Sequence, residues 1–225
     1  APGDRIGAAG WRIVFLASLG GTLEFYDFVI FGIFAKDIAD ALFPSSSPIV
    51  SLMASFAAFA AGYLARPIGG IVLSHYGDRF GRRQVFLWSV FVMSGATLGM
   101  GLVPTYAQWG VTASMLMVTL RLIQGFCLGG ELPGALTYVV ETAPRIAPLV
   151  CGVVFACVTM GVAVATGVSL SVRTLLDPAL VPTYGWRIAF ILGGLGGVLS
   201  FWLRRSLEDS PEFERMKSLA SKQPF

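Results

Sequence analysis

Five charged side chains fall inside long apolar runs of this sequence: Glu24, Asp27, Arg66, Arg121 and Glu131. At the centre of a membrane helix each would cost on the order of 2.5–3.5 kcal/mol, so they are expected to face a bundle interior or a watery cavity. Arg121, Gln124, Leu128 and Glu131 lie within about 80° of one helical face, so one helix presents a cation, an amide and an acid in sequence. This arrangement suits proton exchange. Burial disfavours a carboxylate and a neighbouring guanidinium favours it, and the two opposed effects can place a titration near working pH. Glu24, Asp27 or Glu131 would exchange the proton while Arg121 biases it. The same residues also fit a static buried ion pair that orders helices. Arg66, beside Pro67 near a helix end, reads as a snorkelling or structurally paired cation.

The elements that must position these groups follow from apolar length. A membrane span needs roughly 20 mainly apolar residues, and six such segments are expected, near 11–34, 49–74, 85–103, from Gly110 to about 138, 148–172 and 186–203. Pro104, Gln108 and Gly110 divide the uncharged run from Gln84 to Leu120, which is too long for one helix. Counted at about 1.5 Å per residue, Glu24 and Asp27 lie roughly 20 and 23 Å from the start of the first span. On the same rise Glu131 and Arg121 lie roughly 15 and 30 Å from the end of the fourth. Glu24 and Glu131 are thus nearer mid-depth, and Asp27 and Arg121 lie further from that end.

Composition supports the membrane class: 55% of residues are hydrophobic, 13% are charged, and the mean hydropathy is +0.74. A soluble domain carries about a quarter charged residues. Of the 16 lysines and arginines, 11 fall on one predicted side, including Arg5, Arg12, Arg79, Arg82, Arg83, Arg145, Arg204 and Arg205. Lys36, Arg173 and Arg187 fall on the other. Positive charge marks the cytoplasmic side, so both termini are expected there. The chain then divides into a cytoplasmic tail over 1–10, a six-helix bundle over 11–203 and a cytoplasmic linker over 204–225. In the linker, Ser210 and Pro211 with Glu212 and Glu214 can open a short amphipathic surface helix.

Small residues are dense at Gly125-x-x-x-Gly129, Gly130-x-x-x-Gly134 and Gly193-Gly194-Leu195-Gly196-Gly197, a pattern of close helix packing in membranes. Gly20-Gly21 before Glu24 and Gly129-Gly130 before Glu131 suggest an internal repeat of three helices. Enzyme signals are missing. The single histidine, His75, allows no His-based metal cluster, and neither GxSxG nor a phosphate-cradling loop occurs. Cys127, Cys151 and Cys157 read as small packing residues. The basic stretch at Gly77–Arg83 is too short for a nucleic-acid site, and no cofactor is expected beyond protons as the coupling ion.

Gly77-Asp78-Arg79-Phe80-Gly81-Arg82-Arg83, between the second and third spans, resembles the signature cytoplasmic loop of the major facilitator superfamily. Arg121-Leu122-Ile123-Gln124-Gly125 resembles its fourth-helix motif. Glu24-Phe25-Tyr26-Asp27-Phe28, Arg66-Pro67-Ile68-Gly69-Gly70, Gly129-Gly130-Glu131, Gly185-Trp186-Arg187 and Glu208-Asp209-Ser210-Pro211-Glu212 are similar to its metabolite:proton symporter branch, whose members import small organic acids and zwitterionic osmolytes. The resemblance implies an all-α integral membrane protein of the plasma or inner membrane, with six transmembrane helices as two three-helix repeats, half of a twelve-helix fold. It implies proton-coupled symport of a small polar or anionic metabolite by alternating access. Arg121 and Glu131 would serve proton coupling, with Asp27 on the route or at the substrate site. Asp78, Arg79, Gly81, Arg82, Arg83 and Glu141 would form a cytoplasmic latch. Ser74 stands where the loop signature usually has glycine and is small enough to keep it. Six helices supply one wall of the cavity. The chain is accordingly a fragment of a longer transporter or a half-size protein whose partner is a homodimer mate or a separate second half. Rival readings are a uniporter or exporter of the same fold, and a non-transporting membrane assembly subunit.

Overall fold

A computed structural model of the protein describes residues 8–80, 82–129 and 147–205. The described residues are helical throughout, with short connections. In chain order the helices are α1 (Ala8–Ile33), α2 (Ala35–Leu42), α3 (Pro48–Phe80), α4 (Arg82–Leu102), α5 (Tyr106–Trp109), α6 (Val111–Leu128), α7 (Ala147–Leu175) and α8 (Trp186–Arg204). A π-helical turn, Val181–Gly185, leads into α8.

Within the described residues the long helices coincide with the expected spans because apolar length dictates them; the expected remainder of the fourth, from 130 to about 138, lies outside the described residues. Four stretches, Pro48–Gly77, Val111–Leu128, Ala147–Leu175 and Val181–Leu203, are long and apolar enough to cross a membrane, and Leu87–Leu102 forms a shorter apolar helix. α1 differs because Glu24 and Asp27 interrupt its apolar surface, and both are buried against other helices. α2 occupies the charged stretch that follows the first expected span, where no helix was expected. Ala35, Ile38, Ala39 and Leu42 recur at helical spacing and are buried, while Lys36, Asp37 and Asp40 take the other face. Amphipathic periodicity over two turns is enough to fold this segment onto the bundle.

The charged heptapeptide is also more ordered than a loop. α3 runs through Gly77-Asp78-Arg79-Phe80, and α4 opens at Arg82. Gly81 alone separates them and lies outside the described residues. At 33 residues and about 1.5 Å per residue, α3 exceeds the roughly 30 Å hydrocarbon core. Its charged last turns therefore extend past the apolar layer. At the opposite end of the bundle, Pro104 and the single turn of α5 close α4. Gly110, at φ +59°, reverses the chain into α6, a left-handed conformation that glycine adopts without steric cost.

Helix contacts follow a twofold pattern. α1 packs most extensively on α7, α3 on α6, and α4 on α8, with further contacts of α1 to α8 and of α4 to α6. Exchanging α1 with α6, α3 with α7 and α4 with α8 maps this pattern onto itself, as two three-helix repeats require. Glycines set the spacing. A Cβ at Gly125 would overlap the Gly62 carbonyl, one at Gly129 would overlap the Arg66 carbonyl, and one at Gly161 would overlap the Thr22 carbonyl. Thr22 also donates to the Cys157 carbonyl at 2.6 Å. In α8, Gly194 lies against Leu98 and Gly197 against Ser94 of α4. Gly130 and Gly134 lie outside the described residues. The main apolar core joins Ile30, Phe31, Phe34, Ile38, Met100, Met117, Trp186 and Phe190. It closes the end of the bundle where α1 and α4 finish and α6 and α8 begin.

Candidate functional site

Beneath that core, α1 places two acids on neighbouring faces. Asp27 turns toward α4 and α6, and Glu24, three residues earlier, turns toward α3. The Asp27 carboxylate is buried. Its Oδ2 accepts from Gln124 Nε2 at 2.7 Å and from Thr97 Oγ1 at 2.9 Å. Gln124 Nε2 also donates to Thr97 Oγ1 at 2.9 Å, and Thr97 Oγ1 lies 3.1 Å from the Met93 carbonyl. The Thr97 proton therefore has two acceptors, Asp27 and Met93.

Arg121 completes the chain of contacts. Its Nη1 donates to Gln124 Oε1, and its Nη2 lies 3.5 Å from the Asp27 backbone carbonyl. A guanidinium only donates and an ionised carboxylate only accepts. Gln124 is consequently held with its oxygen toward Arg121 and its nitrogen toward Asp27, and it bridges cation and acid. The Arg121 guanidinium is buried among phenyl rings, 4.3 Å from the Phe31 centroid, 5.3 Å from Phe59 and 6.0 Å from Phe190. Contacts of this kind stabilise a desolvated cation. Gly193 lets α8 approach, since a Cβ there would stand 2.7 Å from Asp27 Oδ1. Tyr26 anchors the same helix pair by donating to the Ala189 carbonyl at 2.7 Å.

On the α3 side, Arg66 Nη1 meets Glu24 Oε1 at 2.5 Å, and the guanidinium stacks 4.2 Å above the Tyr63 ring. Of the two roles that the sequence left open for Arg66, pairing is the one observed. Both networks face one small, partly open cleft, lined by Glu24, Asp27, Arg66, Arg121 and Gln124 together with Phe28, Phe59 and Tyr63. Asp27, Gln124 and Arg121 are thus brought together, with Glu24 on the same cleft. Glu131 and Glu141 lie outside the described residues, as does Gly81. Asp78 and Arg79 stand in the last turn of α3, and Arg82 and Arg83 in the first turn of α4.

Thr97 and the Phe31, Phe59 and Phe190 cage escaped sequence reading. Thr97 sits in an uncharged run where nothing distinguishes it from other small residues, and phenylalanines are common throughout the chain. At the far end, α2 and α7 meet through Asp37 and Arg173, 4.0 Å apart. There burial raises the Asp37 carboxyl above its usual range, and Arg173 offsets this only in part.

The sequence profile of the sugar (and other) transporter family matches residues 13–223. The chain belongs to this family of the major facilitator superfamily. It is 38% identical over 227 residues to the citrate-proton symporter of Klebsiella pneumoniae, covering 100% of this chain and 50% of that protein. It is 36% identical over 207 residues to the shikimate transporter of Escherichia coli K12, covering 88% of this chain and 46% of that protein. The fold superposes on the proton:xylose symporter XylE of E. coli, bound to 6-bromo-6-deoxy-D-glucose, with a TM-score of 0.82 at 20% identity, covering 92% of this chain and 46% of that one. This transporter-family chain spans about half the length of the curated relatives it matches. Members of the family are integral membrane transporters rather than enzymes, and the all-helical bundle is the superfamily's fold.

Proposed function

We propose that this chain is the amino-terminal six-helix half of a secondary active transporter that couples proton movement to uptake of a small polar or anionic metabolite by alternating access. The observation that carries this reading is the buried Asp27, held by Thr97 and bridged through Gln124 to Arg121 at the wall of a cleft. An ionisable group facing a cavity within a membrane bundle is a functional site by default, because the membrane penalises it otherwise. Asp27 is the acid that takes and releases the proton. Arg121 supplies the fixed charge that the exchange works against, Gln124 keeps the two at one remove, and Glu24 and Glu131 are the further acids of the route.

Residues 11–203 form the bundle, with 1–10 and 204–225 cytoplasmic. Asp78, Arg79, Gly81, Arg82, Arg83 and Glu141 form the latch on that side. The opposite wall of the cavity comes from a second six-helix half, carried by the same polypeptide or by a mate.

Flux into liposomes by the full-length protein, with and without an imposed pH gradient, tests the reading. Gradient-driven uptake that is abolished by Asp27→Asn and reduced by Glu131→Gln is expected. Uptake indifferent to the gradient, and unchanged by both substitutions, would sink proton coupling.

A further inference from the structure

The two cations of the cleft differ in what a solute can reach. Arg121 is only 5% exposed; its Nη groups are directed to Gln124 and the Asp27 carbonyl and its face to three phenyl rings, and its Nε is buried without a partner. The side chain of Arg66 is 22% exposed, whereas that of Glu24 beside it is only 6% exposed. Asp27 is likewise covered, at 3%. A solute entering the cleft therefore meets a guanidinium and the rings of Phe28 and Tyr63, with the acids behind them.

We infer that Arg66 is the anchor for a carboxylate group of the transported solute, and that Glu24 is its resting counter-ion, displaced when the solute binds. This deepens the transport reading above and rests on it. Arg66 engages Glu24 through one nitrogen, Nη1 to Oε1 at 2.5 Å, while its Nε is buried without a hydrogen-bond partner. A guanidinium offers five donors in a planar fork that matches a carboxylate bidentately. The single contact to Glu24 leaves that capacity unused, and because the buried Nε is out of reach a free carboxylate would approach the Nη1–Nη2 edge, where it can replace the one bond with two. Stacking on Tyr63 at 4.2 Å occupies the face of the guanidinium and consumes no N–H, so the edge stays available. The Phe28 ring, 5.8 Å from Tyr63, supplies an apolar wall for the rest of the solute. The Glu24–Arg66 pair keeps the cleft neutral when empty; on exchange Glu24, only 6% exposed, loses that partner and must take up a proton if no unpaired charge is to stay buried, which would be costly.

The test is calorimetric titration of the purified full-length transporter with acetate, succinate, citrate and shikimate, with succinamide as the uncharged control. At least one carboxylate is expected to bind and succinamide is not. Glu24→Gln removes the competitor and should tighten binding roughly tenfold or more, the scale of a lost charged hydrogen bond. Arg66→Gln should abolish binding, and Arg66→Lys, which keeps the charge but loses the fork, should weaken it by about tenfold. If Glu24→Gln does not fold, the paired variant Glu24→Gln/Arg66→Gln, which removes both charges, must fold and fail to bind. Binding by none of the carboxylates, or binding that Glu24→Gln weakens or leaves unchanged, overturns the inference. Gradient-driven uptake measured in parallel separates the two readings. Uptake that persists without tightening rejects the counter-ion role alone, and tightening without gradient-driven uptake rejects proton coupling alone.

Discussion

Substituting alanine for Gly125 would strike the contact on which both networks depend. Gly125 follows Gln124 on α6, and its α-carbon lies against the backbone of Gly62 on α3. A Cβ built there overlaps the Gly62 carbonyl oxygen and stands 2.6 Å from the carbonyl carbon and 3.0 Å from the α-carbon. Carbon pairs in contact prefer about 3.5–4.0 Å, so the two helices must part by about 1 Å, and backbone cannot yield as a flexible side chain would. If α6 takes that shift, the 2.7 Å bond from Gln124 to Asp27 stretches beyond hydrogen-bonding range. Overpacking of this kind costs about 1–3 kcal/mol, which lowers an unfolding midpoint by about 2–12 °C on the scale of a 150–250-residue unit. Thermal unfolding of the full-length protein in detergent, followed by tryptophan fluorescence, reads the loss, and liposome uptake should fall with it. Gly167→Ala is the matched control, because no heavy atom lies within 4 Å of its added Cβ. A Gly125→Ala protein as stable and as active as Gly167→Ala would refute the close-contact argument.

Other consequences can be measured with the same preparations. Thr97→Val leaves Asp27 Oδ2 and Gln124 each short of a buried partner and should destabilise by about 1–3 kcal/mol, whereas Thr97→Ser, which keeps the hydroxyl, should recover most of it in the same unfolding assay. Tyr26→Phe deletes the bond to the Ala189 carbonyl and should cost about 1 kcal/mol with uptake retained, since the ring still packs. Because burial raises Asp37 above its usual range, its carboxylate is disfavoured in the folded state. Stability tied to its protonated form is present below the unfolded value, about 3.9, and is lost as pH rises through the folded one. Asp37→Asn should therefore be more stable than the parent at neutral pH, and the difference should vanish on acidification to about pH 3. Equal stability of the two proteins across that range would contradict the sign.

How much of this was legible in the sequence depends on how local each signal is. The expected spans at 148–172 and 186–203 match α7 and α8 to within a few residues, because apolar length and Pro or Gly punctuation act within one segment. The cation–amide series on α6 was also readable, since helical spacing alone puts Arg121 and Gln124 on one face. The pairing of Glu24 with Arg66 was not, because residues 42 apart meet only once the α3–α6 and α1 contacts are known. Thr97 carried no signal for the same reason. α2 was missed because eight residues are too few to outweigh three charges in a hydropathy reading, although its spacing of buried positions was already written in the chain.

The twofold pattern of helix contacts has a sequel in where the charges lie. α3 and α7 exchange places under that pattern, yet α3 brings Arg66 to the cleft while α7 carries no ionisable acid or base from Ala147 to Val172 apart from two cysteines. Duplication has preserved the scaffold and not the chemistry. The α1–α3–α4 repeat brings Glu24, Asp27 and Arg66 to the cleft and the α6–α7–α8 repeat brings Arg121 and Gln124, so two of the acids and the proposed anchor sit on one repeat and the deeply buried cation on the other.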